Sequence, residues 1–155
     1  MNWREISDAA GIPLRGETAR AVSGGSISTA YRVESSDAPV FIKLEPARNA
    51  DRLEAEADGL AALAATATLR VPAVLACDLA GQESGTAFLI IEWISSGRSA
   101  GAAALLGSGL AALHGAQASN FGWHRDNYIG STPQPNARTD SWAEFLREHR
   151  LGFQF

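Results

Sequence analysis

Apolar and strand-forming residues occur in short runs over much of the first half of the chain. Such runs, bounded by turn-forming residues, predict β-strands. Strand-like runs end at position 22 and cover positions 30–33, 40–44, 74–79 and 86–91, and turn-forming residues such as Ser35, Ser36 and Asp37 separate them. We therefore expect a five-stranded antiparallel sheet.

Other segments show helical periodicity instead. They cover positions 2–10, 49–65 and 100–115, and a further helix is expected to open at the capping-box sequence 141–144. The connection 116–139 has little periodicity, and so long an irregular segment inside a compact protein is usually functional. Strands dominate up to position 94 and helices follow it, so we expect an α+β protein with two lobes, 1–94 and 95–155.

Composition narrows the class of protein. The 155 residues are 46% hydrophobic and 19% charged, with no run of eighteen apolar residues and no charged-then-apolar leader. The formal net charge of −4 disfavours a nucleic-acid partner, since nucleic-acid surfaces cluster Lys and Arg. Cys77 has no second cysteine to pair with, and its apolar neighbours suggest a core residue. We expect a soluble cytoplasmic protein without a membrane span.

Lys43 is the candidate for phosphate binding in the first half. It lies inside the apolar run 40–44, where a charged amine is costly unless an anion lies nearby or the side chain reaches water. The Glu56 side chain is expected to project from the margin of the apolar face of the expected helix 49–65, from where it could reach Lys43. Glu54 is the alternative, but it points farther from the leucines of that helix. We therefore favour Glu56 as the partner.

Two backbone segments could contact a nucleotide. The turn 23–28 contains Gly24, Gly25 and Ser26, whose N–H and hydroxyl groups could bind phosphate oxygens. Its spacing matches neither the P-loop nor the dinucleotide fingerprint. The run 89–94 ends a strand, and its free backbone groups could pair with the edge of a purine. Each signal is weak alone, because many turns and edge strands offer the same groups.

The triplet His124-Arg125-Asp126 is identical to the catalytic-loop triplet of protein kinases. In those enzymes an asparagine five residues after the aspartate binds magnesium, but Ser131 stands there in this chain. No Asp-Phe-Gly sequence follows. We therefore reject a protein-kinase role for Asp126.

The order of these motifs closely resembles the fructosamine kinase (ketosamine-3-kinase) family. The specific part is the block 121–136, which reads F-G-W-H-R-D-N-Y-I-G-S-T-P-Q-P-N. The G-G-S-I-S turn, the F-I-K-L strand and the I-E-W-I run are shared more loosely with aminoglycoside and choline phosphotransferases. The resemblance covers essentially the whole chain, but only the first half of a typical family member.

The resemblance implies a protein-kinase-like N-lobe followed by the first helices of an α-rich C-lobe. It also implies roles for two sets of residues: ATP binding by Gly24, Gly25, Ser26, Lys43, Glu56, Glu92, Trp93 and Ile94, and acceptor-substrate binding by Asp126, Asn127, Gln134 and Asn136. The family's catalytic aspartate, in an H-G-D-x-x-x-x-N segment, and its magnesium ligands are expected beyond Phe155. No catalytic residue and no metal ligand is therefore expected within this chain.

The function implied by the resemblance is ATP-dependent phosphorylation of the sugar 3-hydroxyl of a glycated amine, which leads to deglycation. The expected partners are ATP, Mg and a ketosamine, and a homodimer is a further option. The chain alone is expected to be inactive, because it lacks the catalytic segment. Two alternatives stay open: a non-catalytic nucleotide-binding pseudokinase or interaction module, and a phosphotransferase for an aminoglycoside or a choline-like alcohol.

Overall fold

The computed structural model describes residues 1–23, 28–79, 85–97 and 100–155. Five strands form one antiparallel sheet in the order β1-β2-β3-β5-β4, with bounds Leu14–Ala21 (β1), Thr29–Ser35 (β2), Val40–Pro46 (β3), Val74–Asp78 (β4) and Thr86–Glu92 (β5). The expected five-stranded antiparallel sheet is confirmed. Strand β3 is central and carries Lys43, which is opposite Ala30 of β2 and Leu89 of β5.

Alternation along β3 divides the core between the two faces of the sheet. Val40, Ile42 and Leu44 pack on one face with Ile6 of helix α1 (Trp3–Ala10). The opposite face packs against Leu53 of helix α2 (Ala50–Ala65) through β5 residues and Phe41. Lys43 is two residues from Phe41, so its side chain also points towards α2.

The helices begin and end close to the expected positions. The Asn2 side chain accepts a hydrogen bond from the Glu5 backbone N–H at the start of α1, and Gly11 ends that helix with a φ of 65°. The remaining helical segments are a 3₁₀ turn at Ala47–Asn49, α3 (Ala102–His114), α4 (Trp142–Leu146), a π-helical turn at Arg147–Leu151 and α5 (Gly152–Gln154). No helix in the described ranges has both the length and the apolar character needed to cross a membrane.

The connection 116–139 contains structure that periodicity did not reveal. Two three-residue strands, β6 (Asn127–Ile129) and β7 (Thr132–Gln134), form an antiparallel hairpin. Phe121 and Thr139 pair in an isolated bridge that closes the base of the segment. Strands this short contain too few residues for a recognisable alternation. The segment is therefore an organised loop, which we call the docking loop over residues 121–136.

Cys77 does not lie in the core. Its side chain is exposed on β4, a strand at the edge of the sheet, so the expectation of a core residue is wrong. Partial burial nevertheless raises the pKa of its thiol above the ordinary value, and the nearby carboxylates of Glu54 and Asp78 raise it further. A raised pKa keeps the thiol protonated and makes it a poor nucleophile at neutral pH.

Gly16 allows α1 to lie close against β1. A Cβ atom at position 16 would be 2.5 Å from the Trp3 Cβ atom, far inside normal contact distance. We expect Gly16→Ala to lower the free energy of unfolding by about 1 to 3 kcal/mol, because overpacking forces the helix away from the strand. Urea unfolding measures this change.

Gly107→Ala in α3 is the matched control for that substitution. A Cβ atom at position 107 meets nothing within 4 Å, and alanine is the better helix former. The control should therefore unfold at the same urea concentration as the unchanged chain or slightly above it. Equal midpoints for Gly16→Ala and Gly107→Ala would contradict the close contact between Trp3 and β1.

Candidate functional site

Lys43 and Glu56 form an ion pair between the central strand and helix α2. The Lys43 Nζ atom lies 2.6 Å from Glu56 Oε1 and 2.8 Å from Oε2. Both side chains are only about one-third exposed. The expected contact is therefore present, whereas Glu54 points elsewhere and pairs with Arg125. A role for Lys43 and Glu56 in binding ATP stays a prediction.

The Lys43–Glu56 pair lies in the wall of a cavity of about 740 Å³. Ala30 and Phe41 supply apolar wall from the sheet, α2 closes one side, and Asn127 and Tyr128 of the β6–β7 hairpin also line the space. Pockets for small molecules and cofactors commonly measure roughly 300 to 1,000 Å³, with mainly apolar walls and a few polar groups. The cavity is therefore large enough for a nucleotide-sized ligand.

Glu45 is a buried carboxylate at the edge of this cavity, and it was not identified from the sequence. It is 3% exposed and accepts hydrogen bonds from Ser28 Oγ at 2.7 Å, Asn49 Nδ2 at 3.2 Å and Arg52 Nη2 at 2.8 Å. These bonds join the end of the 23–28 turn, the central strand and the start of α2. Alternation along β3 could have placed Glu45 on the same face as Lys43, but its partners were not apparent.

The structure describes the two ends of the glycine-containing turn, Ser23 and Ser28. Gly24, Gly25 and Ser26 lie outside the described residues, so their phosphate-binding role stays a prediction. The flanking residues Ser23 and Ser28 both line the cavity. The chain therefore enters and leaves this turn at the cavity wall.

The expected purine-binding segment lies at the end of β5. Glu92 accepts hydrogen bonds from Arg70 and from the Ala73 backbone N–H, and these bonds lower the pKa of its carboxyl group. The Trp93 ring stacks on Phe41 with centroids 6.3 Å apart, so Trp93 lies behind a residue of the cavity wall. Glu92, Trp93 and Ile94 do not themselves line the described cavity. Their contact with adenine stays a prediction.

Helix α2 holds the docking loop through a row of three carboxylates, Asp51, Glu54 and Asp58, which we call the acidic ladder. Its partners in the loop follow one another in sequence: Trp123 Nε1 donates to Asp58 Oδ2 at 2.6 Å, His124 Nε2 lies 3.1 Å from Asp58 Oδ1, Arg125 Nη2 donates to Glu54 Oε2 at 2.9 Å, and the Tyr128 hydroxyl donates to Asp51. None of these contacts was predicted from the sequence.

The acidic ladder also changes the ionisation of its partners. The hydrogen bond to Asp51 is the main cause that raises the pKa of the Tyr128 hydroxyl above its ordinary value. The hydrogen bond to Glu54 similarly raises the pKa of the Arg125 guanidinium. Both shifts favour the protonated form of the donor in these two hydrogen bonds.

The expected acceptor-binding residues lie together within the docking loop. Asn136 is 3% exposed; its backbone N–H donates to Asp126 Oδ1 at 2.8 Å, and its side-chain Nδ2 donates to Asn127 Oδ1 at 2.9 Å. Arg150 donates to Asn136 Oδ1 at 2.6 Å, and Gln134 is opposite Asn127 in the hairpin. These bonds fix the shape of the loop. Direct contact of the four residues with an acceptor stays a prediction.

Gly122 allows the base of the docking loop to close. Its φ is 114°, a conformation that side chains rarely adopt, and a Cβ atom there would lie 2.7 Å from the Asn136 carbonyl oxygen. Trp123 N–H donates to that same carbonyl at 2.9 Å. Both the backbone conformation and the close approach therefore require glycine at this position.

Magnesium ligands are not assembled in the part of the chain that the structure describes. Within those ranges, no group of three or more His, Cys, Asp or Glu side chains is arranged to hold a metal ion. The two carboxylates nearest the cavity, Glu45 and Glu56, are each paired with a cation. These residues therefore do not fit a magnesium site, and no step through magnesium is derived from them.

Comparison with known proteins gives consistent matches over most or nearly all of the chain. The family model described as fructosamine kinase matches residues 2–155. A probable ketoamine kinase from Synechocystis sp. is 45% identical over 97% of this chain and 51% of its own length. A chloroplastic protein-ribulosamine 3-kinase from Oryza sativa subsp. japonica is 38% identical over 86% of this chain and 39% of its own length.

Solved structures match at the level of the fold as well. The crystal structure of a putative fructosamine-3-kinase from Haemophilus somnus 129PT superposes with a TM-score of 0.84 and 26% identity, over 98% of this chain and 52% of that one. The corresponding protein from Thermobifida fusca gives a TM-score of 0.78 and 30% identity, over 95% and 50%. The chain spans about half the length of the Synechocystis relative and of these two solved structures.

Proposed function

The chain belongs to the fructosamine kinase family, and we propose that it supplies the ATP-binding part of a kinase that phosphorylates a ketosamine sugar at its 3-hydroxyl. The observation that carries the proposal is the Lys43–Glu56 ion pair in the wall of a nucleotide-sized cavity. The names of the relatives, ketoamine kinase and protein-ribulosamine 3-kinase, support the acceptor class.

Lys43 would hold the phosphates of ATP. Its ammonium group is a point charge with three donors, and Glu56 fixes its position through two of them while leaving one donor for a phosphate oxygen. The backbone N–H groups of Gly24 and Gly25 and the Ser26 hydroxyl would contact further oxygens of the same phosphates. The apolar wall formed by Ala30 and Phe41 would pack on the base.

The segment Glu92, Trp93 and Ile94 would recognise the purine edge through backbone groups. Asp126, Asn127, Gln134 and Asn136 would shape the acceptor side, with Asn127 closest to the phosphate-binding wall because it also lines the cavity. Magnesium, when bound, neutralises charge on the transferred phosphoryl group. The base and the metal ligands are expected in the sequence that corresponds to the second half of the relatives.

ATP binding is the first test of this proposal. Isothermal titration of the 155-residue chain with MgATP should give saturable binding, and ketosamine phosphorylation by that chain alone should stay at background, because the H-G-D-x-x-x-x-N segment is not present in its sequence. Magnesium-dependent turnover by the isolated chain would contradict the second expectation. It would also return Asp126 to consideration as a base.

The acceptor class requires a protein that carries the second half as well. A chimera in which the second half of the Synechocystis relative follows residue 155 should transfer phosphate from ATP to a ribulosamine or fructosamine peptide. Kanamycin and choline are the control acceptors, since they represent the other phosphotransferase classes. Transfer to kanamycin or choline in preference to the ketosamines would overturn the proposed acceptor.

Three features complete the proposal and stay predictions: the division into lobes 1–94 and 95–155, a cytoplasmic location, and a homodimer. The lobe division is supported by the end of the five-stranded sheet at β5, after which helices predominate. The other two rest on the sequence alone.

A further inference from the structure

The acidic ladder joins parts of the chain that are far apart in sequence. Its hydrogen bonds connect residues that are 65, 71 and 77 positions apart. Asp51, Glu54 and Asp58 share one face of α2, because residues three, four and seven positions apart align on a helix. The docking loop therefore lies along a single side of this helix.

Glu56 lies on a different side of the same helix. At about 100° per residue, the ladder and Glu56 are on opposite edges of the apolar face formed by Leu53, Ala57 and Leu60. Rotation of α2 about its axis would therefore disturb the ladder and the Lys43–Glu56 pair together. Close packing of Leu53, which is 1% exposed, limits large rotations of α2, so the ladder and the ion pair would be coupled through small ones.

We propose that Asp51, Glu54 and Asp58 are positioning residues: by binding the docking loop, they hold α2 in the rotation that places Glu56 against Lys43. Docking of the loop and the availability of the Lys43 amine are thereby coupled. The consequence for ATP affinity rests on the proposed function, whereas the coupling itself does not. The β6–β7 hairpin also lines the cavity through Asn127 and Tyr128, so the docking loop and Lys43 line the same cavity.

The sequence offers a direct probe of this coupling. Lys43 is the only lysine in the chain, so an amine-acylating reagent modifies this residue and the N-terminus alone. Trypsin separates the two sites, because the Lys43 peptide runs from 33 to 48 and the N-terminal peptide from 1 to 4. The acylation rate of peptide 33–48 therefore reports how well Glu56 shields Lys43.

All three ladder carboxylates should be neutralised together, since a single exposed ion pair contributes little. The variant Asp51→Asn/Glu54→Gln/Asp58→Asn should acylate Lys43 several times faster than the unchanged chain. Its dissociation constant for MgATP should rise by about three- to tenfold, because part of a charge-assisted contact is lost. The matched control is Asp8→Asn/Glu17→Gln/Asp37→Asn, which removes three exposed carboxylates outside α2. The control should change neither quantity by more than about twofold, as expected of surface substitutions.

Two further variants separate positioning from general loss of stability. Arg125→Gln removes one ladder contact from the loop side and leaves the sequence of α2 intact, so it should accelerate Lys43 acylation by a smaller factor than the triple variant does. The charge exchange Glu54→Arg/Arg125→Glu rebuilds the pair with reversed polarity, so it should return the acylation rate towards that of the unchanged chain. A defect that either substitution causes independently of this ion pair would not be rescued by exchange of the charges.

Hydrogen exchange of the docking loop completes the experiment. If the ladder variants expose residues 121–130 to exchange but leave Lys43 acylation unchanged, the ladder only fastens the loop and the proposal is wrong. If amide hydrogen exchange of residues 121–130 is unchanged in the ladder variants, the ladder does not hold the docking loop and the proposal is equally wrong. If the unchanged chain does not bind ATP, the proposed function fails, and acylation together with exchange still decides whether the ladder positions Glu56.

Discussion

Replacing Lys43 with methionine should lower the affinity of the chain for ATP by about ten- to a hundredfold. Methionine keeps most of the stem volume and removes the charge that would meet the phosphates. A charge-assisted hydrogen bond of this kind contributes roughly 1.5 to 3 kcal/mol, and each 1.4 kcal/mol changes a binding constant tenfold. Titration calorimetry with MgATP measures the change.

The stability of the protein without nucleotide should change little in this variant. Glu56 loses its partner, but it is about one-third exposed and can be rehydrated. Glu56→Gln should lower ATP affinity less than Lys43→Met does, because it removes only the residue that positions the amine. Arg48→Met is the matched control, since it removes an exposed cation close to the start of α2. Equal ATP affinities for Lys43→Met and Arg48→Met would show that Lys43 is an ordinary solvated strand residue.

Removal of the Glu45 carboxylate should cause the largest loss of stability. Glu45→Met leaves the Arg52 guanidinium without its anion and leaves Ser28 and Asn49 without an acceptor. Breaking a buried ion pair by removing one partner commonly costs about 3 to 5 kcal/mol. Arg52 keeps some access to water, being 18% exposed, so we expect a loss near the lower end of that range. Urea unfolding measures it.

The double variant Glu45→Met/Arg52→Met is the control for this prediction. Replacing both members of a buried pair by apolar residues is often neutral or stabilising, because neither charge is left uncompensated. The double variant should therefore be more stable than Glu45→Met alone. If the single variant unfolds at the same urea concentration as the unchanged chain, the Glu45 network does not stabilise the start of α2.

Much of the fold followed from local patterns in the sequence. The short runs of strand-forming residues at 30–33, 40–44 and 86–91, bounded by turn-forming residues, predicted the sheet, because strand propensity and turn chemistry are local properties of the sequence. The spacing of Leu53, Ala57 and Leu60 predicted α2, because apolar residues three or four positions apart lie on one face of a helix. The Lys43–Glu56 contact could also be predicted from the sequence. A charge on an apolar strand needs a counter-ion, and Glu56 lies next to the packed face of the helix.

Other features depended on tertiary structure. The strands of the β6–β7 hairpin are too short to show a burial pattern in the sequence. Cys77 is exposed on β4 at the edge of the sheet, and its apolar sequence neighbours do not reveal that position. The Glu45 network joins a turn, a strand and a helix. No local pattern specifies which of several polar groups will meet when those elements pack.

The sequence by itself determined the family, the order of the five sheet strands and the longer helices along the chain, and the faces of β3 and α2 that become buried. Only the tertiary structure decided that Glu54 pairs with Arg125, that Tyr128 binds Asp51, and that the docking loop lies along α2. Periodicity states which side of an element is apolar. The partner of each exposed carboxylate depends instead on how segments more than sixty residues apart are brought together. Hydrogen bonds are directional, so they select among neighbouring side chains only after that packing has formed.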